Sequence, residues 1–255
     1  MIFSVIIVNY NTIELIGRCL DSIFAYSNVN ELEVVVVDNG STDGSQAFLE
    51  SEFASKIKLI KNSLNGGFGV ANNQGAREAN GDFLFFLNSD TLFKLDVLAG
   101  LKKIFINDKV GVVAPILILP DGKKQPYSSG RMPNLKSVLF KKGALDVVDK
   151  DEIEWVSGAA LAVRKNIFKE IGGFDEKFFM YFEDVDLCKR IISLGYKVSL
   201  ACEVEVIHYG GASFNDYGKK KKIYYRSQDY FYIKHYGLLA RIIVKIARFF
   251  FLFFK

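Results

Sequence analysis

The feature that most constrains this chain is a repeated pairing: a short apolar run, rich in β-branched residues, that leaves directly into small polar residues. Residues 2–8, 33–37, 57–60, 83–87 and 110–114 are such runs. Each has the length of a strand, and near-continuous apolarity marks a strand buried on both faces. Residues 14–26, 44–53, 69–80 and 94–107 between them read as helices. Strand alternating with helix predicts an α/β fold with a doubly wound, mostly parallel sheet. In such a sheet the polar site lies just beyond the strand C-termini. The exits fit that rule: Asn9-Tyr10-Asn11, Asp38-Asn39-Gly40-Ser41, Asn65-Gly66-Gly67-Phe68-Gly69 and Asn88-Ser89-Asp90.

With 255 residues, 50% hydrophobic and 24% charged, the chain has ample core for one domain, or one domain with an appendage, and is not disordered. Cys19, Cys188 and Cys202 form no CxxC pair, which argues against a disulfide framework or zinc ribbon and fits a reducing compartment. No basic region precedes the run at 2–8 and Asn9 ends it, so it reads as a strand, not a signal peptide. All four prolines fall within residues 115–152, read as an excursion over the site. Order is expected to return at 155–163, with a helix from Lys165, another after Glu183, and a strand pair near 197–200 and 204–208.

Charge is unevenly placed. Residues 217–255 hold ten Lys or Arg and one acid, Asp229, so they carry +9 of a net +4 and the remainder carries −5. Residues 242–254 are intensely apolar but too short to span a bilayer. Lys234, Arg241, Lys245, Arg248 and Lys255 share one helical face if the helix survives Gly237, opposite Ile, Leu and Phe. That describes an interfacial helix whose cations meet anionic headgroups; the alternative is a helix packed on the rest of the chain or on a second subunit. No nucleic-acid module accompanies the basic run at 219–222, so a nucleic-acid partner is not expected.

Several residues carry candidate chemistry. Asp38, at a buried strand end, can accept hydrogen bonds from a base or ribose; its alternative role, capping the next helix, suits Ser41, Thr42 and Asp43 better. The Gly-rich 65–75 stretch opens a helix, where bare amides favour phosphate oxygens, although Gly-rich turns are common. Asp90, in Asn88-Ser89-Asp90, is placed to ligate a hard divalent cation; an ordinary strand-end turn has the same composition. Glu183 and Asp184 follow a run of aromatics, whose desolvation would raise carboxylate basicity as a general base requires. Asp186 and Arg190 are spaced to pair along the helix. His208 ends a strand ahead of Gly210-Gly211, accessible to a metal.

In combination these stretches resemble the family 2 glycosyltransferases of GT-A fold. The matching elements are SVIIVNYN at 4–11, VDNGSTDGS at 37–45, NGGFG at 65–69, FLNSD at 86–90, VSGA at 156–159, GGFD at 172–175, the Glu183-Asp184 pair and the segment 208–213. They run in the family's order, and the nearest subgroup looks like the rhamnosyltransferases of bacterial surface polysaccharide assembly. The resemblance implies a catalytic domain over 1–215, with a nucleotide-sugar-binding part at about 1–114 and an acceptor-binding part at about 115–215. A basic, aromatic helical segment at 216–255 would associate with a membrane or oligomerise. It implies that Val8, Tyr10 and Asp38 line the base and ribose pocket and that Asn73 helps to hold the nucleotide. Asn88, Ser89 and Asp90 would occupy the family's DxD position, with Asp90 and His208 binding Mg²⁺ or Mn²⁺. Asp184 would be the catalytic base, and Trp155, Gly158 and Glu183 would border the acceptor. Asn88 stands where the family has the first acid of DxD, which weakens the case for strict metal dependence.

The expected reaction is an inverting transfer of a sugar, L-rhamnose from dTDP-rhamnose or a hexose from a UDP-hexose, to a hydroxyl of a lipid-linked or polysaccharide acceptor. The expected location is the cytoplasm, peripheral on the inner face of the cytoplasmic membrane. A nucleotidyltransferase would carry a Gly-rich, basic loop near the start, and residues 2–11 have neither glycine nor Lys or Arg. A non-catalytic nucleotide-sugar-binding protein is the remaining alternative; Asp38, Asp90, Asp184 and His208 argue against a decayed site.

Overall fold

A computed structural model describes residues 1–140, 152–210 and 217–253 of the chain. Its centre is an eight-stranded sheet in the order β3-β2-β1-β4-β9-β6-β10-β5. The first half is the expected alternation: β1 (Phe3–Asn9), α1 (Ile13–Tyr26), β2 (Leu32–Asp38), α2 (Ser45–Phe53), β3 (Lys58–Lys61), α3 (Phe68–Glu78) and β4 (Phe83–Asn88). After β5 (Thr91–Leu92) come α4 (Val97–Phe105) and β6 (Val110–Ile118). The second half holds β7 (Ser129–Gly130), α5 (Leu135–Phe140), β8 (Trp155–Val156), β9 (Ala160–Arg164), α6 (Lys165–Glu170), α7 (Glu183–Ser193), β10 (Lys197–His208) and α8 (Tyr217–Phe253).

The apolar runs are continuous because both sheet faces are covered. Phe3, Val5 and Ile7 of β1 face the core shared with Ile16 and Leu20 of α1, while Ile6 between them faces the opposite core with Ala76 of α3. Strands β2 and β4 divide their side chains likewise, Phe83, Phe85 and Leu87 to one side, Leu84 and Phe86 to the other. This is the period-two geometry of a doubly covered strand.

Strands β1, β2 and β3 progress outward in parallel, then β4 returns to the other flank of β1. The strand order reverses between β1 and β4, so a crevice opens beyond their C-terminal ends. Strand β9 runs antiparallel between β4 and β6, which makes the sheet mixed. The strand pair expected at 197–208 is one strand, β10, whose register against β6 breaks between Ala201 and Glu205. The short β5 pairs antiparallel with β10, setting Thr91 opposite His208.

The C-terminal helix does not survive Gly237, whose backbone adopts φ 84° and ψ 176°. A straight helix would separate Asp229 from Arg248 by about 28 Å at 1.5 Å per residue. Instead Arg241, Lys245 and Arg248 all gather on Asp229, so the chain folds back. Lys234 pairs with Asp175 and Asp186 instead. The expected single cationic face is therefore replaced by two sets of ion pairs; Lys255 lies outside the described residues. The part before Gly237 is packed on the body, with Phe231 and Tyr232 fully buried. After it, Leu238, Leu239, Ile242, Ile246, Phe249 and Phe250 are exposed. Among the described residues no helix is long and apolar enough to cross a membrane.

Candidate active site

A cavity of about 1000 Å³ opens where the topology predicts, beyond the ends of β1 and β4. That is the upper end of the roughly 300–1000 Å³ usual for ligand sites. Val8, Tyr10, Asn88, Ser89, Asp90, Trp155, Gly158, Glu183, Asp184 and His208 all line it. Asp38 and Asn73 are not among the lining residues.

Asp38 is fully buried and holds its own loop. One carboxylate oxygen accepts from the Ser41 N–H (2.9 Å) and Gln46 Nε2 (2.8 Å), the other from Asn9 Nδ2 (2.8 Å). Its neighbour Asn39 reaches the cavity in its place. Asp43 accepts from the Ser45 N–H and hydroxyl and from the Ile13 N–H at the start of α1, while the N-cap position of α2 is taken by Gly44. Asn73 clamps the segment after Gly173: its Oδ1 accepts from the Phe174 N–H, and its Nδ2 donates to the Phe174 carbonyl and to Glu176. Its place on the buried side of α3, against the GGFD turn, takes it away from the cavity.

The Gly-rich loop also differs from expectation. The Gly66 N–H donates to Asn39 Oδ1, the Gly67 N–H to Asn65 Oδ1 and the Phe68 N–H to the Phe179 carbonyl. These three amides are engaged within the chain, and the loop works as a dock for the aromatic run ahead of α7. Gly67 is required there: it sits at φ 94°, and a Cβ would lie 2.7 Å from the Phe179 carbonyl oxygen.

That dock places the acid pair. Tyr181 and Phe182 both have left-handed backbones (φ 71° and 68°), uncommon for non-glycine residues. They turn the chain sharply into α7, whose first residues are Glu183 and Asp184. The Asp184 carboxylate accepts from the Gly158 N–H (2.9 Å) and from the Val185 N–H (2.8 Å). Burial raises its pKa above the ordinary aspartate range, and the two amides offset part of that rise. Glu183 is buried, its Oε2 meets no hydrogen-bond partner, and burial followed by the adjacent Asp184 charge pushes its carboxyl well above the ordinary range. The two amides on Asp184 favour its ionised form, whereas Glu183 Oε2 has no donor to do the same. Of the two acids, Asp184 is the better placed to act as a base.

Across the cavity, the β5–β10 pairing brings Asp90 and His208 together, with Asp90 Oδ1 3.1 Å from His208 Nε2. Nδ1 of the same ring lies 2.7 Å from Gln125 Oε1, to which it can donate. In that tautomer Nε2 and Asp90 Oδ1 would face one another as two acceptors that a shared cation can satisfy. Asn88 Nδ2 lies 3.3 Å from Nε2. Among the described residues no third His, Cys, Asp or Glu joins the two. An imidazole and a carboxylate suit Mn²⁺ or Mg²⁺, with substrate oxygens completing the shell. Gly211, Ala212 and Ser213 of the His208 motif lie outside the described residues.

Sequence reasoning missed Gln125, Asn39 and the α8 residues Tyr224, Gln228 and Tyr232, which also line the cavity. The i, i+4 spacing of the last three was readable, but not which partner their face would meet. The expected Asp186–Arg190 pair is present at 2.8 Å, and Lys234 and His235 of α8 join the same carboxylate.

Comparison with known proteins adds independent findings. Residues 4–172 match the sequence model of Glycosyl transferase family 2, and residues 147–210 match that described as N-terminal domain of galactosyltransferase. The chain is 26% identical over 239 residues to N-acetylglucosaminyl-diphospho-decaprenol L-rhamnosyltransferase of Mycobacterium tuberculosis, covering 82% of this chain and 76% of that protein. It is 30% identical over 161 residues to Rhamnosyltransferase WbbL of Escherichia coli, covering 56% of this chain and 61% of that one. A mannosyltransferase of Pyrobaculum calidifontis, solved with GDP-Man and Mn²⁺, superposes with TM-score 0.66 at 19% identity, over 96% of this chain and 73% of its own. That likeness is one of fold, the GT-A fold.

Proposed function

The chain belongs to glycosyl transferase family 2 and is a glycosyltransferase using a nucleotide-sugar donor, and from that premise we propose that it carries L-rhamnose from dTDP-rhamnose to a hydroxyl of a lipid-linked glycan acceptor. The observation that carries the mechanism is Asp184: a carboxylate lifted in basicity by burial, held by two backbone amides, on the same cavity as the Asp90–His208 pair. Asp184 takes the proton from the acceptor hydroxyl. That oxygen attacks the anomeric carbon from the face opposite the departing nucleoside diphosphate, and a single displacement inverts the configuration. Tyr10, Asn39 and Asn65 at the strand exits bound the end where the nucleotide rests, with Asp38 fixing the loop that presents Asn39. Asp90 and His208 would hold a Mg²⁺ or Mn²⁺ ion, which when bound neutralises charge on the diphosphate. Donor specificity for rhamnose rests on the rhamnosyltransferase relatives; a UDP-hexose is the second candidate.

We assign the enzyme to the inner face of the cytoplasmic membrane. The exposed apolar residues after Gly237 support this, since a face carrying Leu239, Ile242, Ile246 and Phe249 is suited to the headgroup boundary, with the exposed Lys221 and Lys222 adding attraction to anionic lipid. The headgroup contact is thus assigned to the apolar face, because Arg241, Lys245 and Arg248 are drawn to Asp229. Co-sedimentation with anionic vesicles should be lost in Leu239→Asp/Ile242→Asp; unchanged co-sedimentation would refute the membrane assignment.

The function is tested by a donor screen. Purified protein, a divalent cation and a lipid-linked glycan acceptor are given dTDP-rhamnose, UDP-hexoses and GDP-mannose in turn, and nucleoside diphosphate release is read. Release with dTDP-rhamnose that chelator suppresses is expected; no release with any donor overturns the reading.

A further inference from the structure

The hydroxyl at the start of α1 is not spent on its own helix. Thr12 occupies the N-cap position, yet its side chain makes no capping hydrogen bond. Capping is the ordinary reason for a threonine there. The first amide of the helix, the Ile13 N–H, donates instead to Asp43 of the loop after β2 (2.9 Å). Thr12 Oγ1 is turned inward, 2.7 Å from Asn9 Oδ1 and 2.8 Å from Ser89 Oγ. Thr12 is buried and is not among the residues lining the cavity, whereas Ser89 is.

Chemistry fixes the order of donors along this line. Asn9 Nδ2 lies 2.8 Å from Asp38 Oδ2 and 3.1 Å from Ser41 Oγ. A carboxylate accepts, so the NH₂ end of Asn9 faces it and the amide oxygen faces Thr12. That oxygen can only accept, so the single Thr12 hydroxyl hydrogen goes to it. Thr12 Oγ1 then has only lone pairs to offer Ser89, and the Ser89 hydroxyl is the donor. A buried relay thus runs from Ser89 through Thr12 and Asn9 to Asp38, the carboxylate that fixes the loop presenting Asn39. It ties the turn after β4 to the loop after β2 by way of the exit of β1.

Resting on the glycosyltransferase reading, we propose that Thr12 is a positioning residue for the cation site: it lies off the cavity and acts through Ser89 to hold Asp90 toward His208. The turn that carries Asp90 is strung between two anchors. On one side Tyr209, just after β10, donates its N–H to the Asp90 carbonyl (3.0 Å), and its hydroxyl is held by Arg18 of α1 (2.9 Å). On the other side Ser89 is held by Thr12. Without the Thr12 hydroxyl, Ser89 is a buried donor with no acceptor, and the turn must shift to satisfy it. The same loss frees Asn9 from the turn, so the donor end of the cavity loosens while the acid pair on α7 keeps its own amides.

The full-length protein and its variants are titrated with Mn²⁺ alone, read by electron paramagnetic resonance. Thr12→Val keeps the shape of the side chain and removes the hydroxyl. Its Mn²⁺ affinity should fall about tenfold, the lower end of the roughly 10–100-fold usual when a group supporting a metal ligand is lost. Thr12→Ser, which restores the hydroxyl, should stay within about twofold of wild type. Because Thr12 acts through Ser89, adding Thr12→Val to Ser89→Ala should change the affinity by less than about twofold. In turnover, Thr12→Val should raise the donor KM by about fivefold or more and leave the acceptor KM within about twofold. Unchanged Mn²⁺ affinity in Thr12→Val, a Thr12→Ser variant as weak as Thr12→Val, additive losses in the double variant, or an equal rise in both KM values overturns the role. If a melting curve shows Thr12→Val unfolded, Ser89→Ala cuts the same bond from the turn side: a loss of about fivefold or more is expected, and unchanged affinity overturns the role. Calorimetric titration with nucleoside diphosphate separates the two levels. Wild-type protein that binds nucleotide but no Mn²⁺ also overturns the role, whereas wild-type protein that binds neither defeats the parent reading.

Discussion

Replacing Asp184 by Asn tests the catalytic assignment with a magnitude that can be worked out. The carboxylate accepts two backbone N–H groups, from Gly158 at 2.9 Å and Val185 at 2.8 Å. Asparagine offers one carbonyl oxygen and one NH₂, so one of those N–H groups loses its acceptor. That costs about 1–3 kcal/mol of stability, tolerable in a fold of this size. The chemical loss is separate. Removing a positioned general base lowers the rate by about 10²–10⁴-fold, or roughly 2.7–5.4 kcal/mol of transition-state stabilisation. Glu183→Gln is the matched control. Burial pushes the Glu183 carboxyl well above the ordinary range, and glutamine has the same shape without the charge, so its loss should stay under about tenfold. The assay is nucleoside diphosphate release under saturating donor and acceptor, with a melting curve and donor titration on each variant. A folded Asp184→Asn protein that binds donor and keeps more than about a tenth of wild-type turnover would refute the reasoning, as would a Glu183→Gln loss equal to that of Asp184→Asn.

Three further outcomes follow from the same geometry. Because burial raises the pKa of Asp184 and catalysis needs its ionised form, kcat/KM should climb with pH through an apparent value above the ordinary aspartate range; a limb at or below that range would contradict it. The stability these two acids contribute has the opposite sense, being complete below the ordinary carboxylate range and lost as pH rises through their elevated values. Gln125→Leu removes the acceptor that fixes the His208 ring, so Mn²⁺ affinity by electron paramagnetic resonance should fall about 10–100-fold, with a changed ¹⁵N tautomer signature for His208; unaltered affinity would refute the role. Asp186→Asn breaks a fully buried carboxylate away from Arg190, Lys234 and His235, at about 3 kcal/mol or a roughly 6–12 °C lower Tm; burial raises the Asp186 pKa, but His235, Arg190 and Lys234 outweigh it, so this stability is present above the ordinary carboxylate range and lost as pH falls through the depressed value.

Much of the fold was legible because burial on both sheet faces leaves a local trace. A run such as Phe83–Leu87 must be apolar at every inward and outward position, and its polar exit at Asn88 then marks the site. The acid pair was legible for a related reason: the aromatics ahead of Glu183 announce desolvation. What was not legible depends on which partner a side chain meets. Asp38 and Asn73 have the right chemistry for a nucleotide, yet each is surrounded by chain donors and acceptors from residues as distant as Phe174. Gln125 sits in a proline-rich excursion with no periodicity to mark it, and its role emerges only from the sheet pairing that delivers His208. The break at Gly237 was flagged by composition, but the destination of the cations beyond it is set by Asp229, a tertiary partner.

A single displacement driven by Asp184 is the step on which the whole mechanism depends. It is probed most directly by the anomeric configuration of the product, read by proton NMR at early turnover, before the acceptor glycoside can be processed further. The anomeric centre of the transferred sugar should be inverted relative to the nucleotide donor. A product of retained configuration would contradict the mechanism, because retention requires either two displacements or front-face attack, and neither is the single displacement assigned to Asp184.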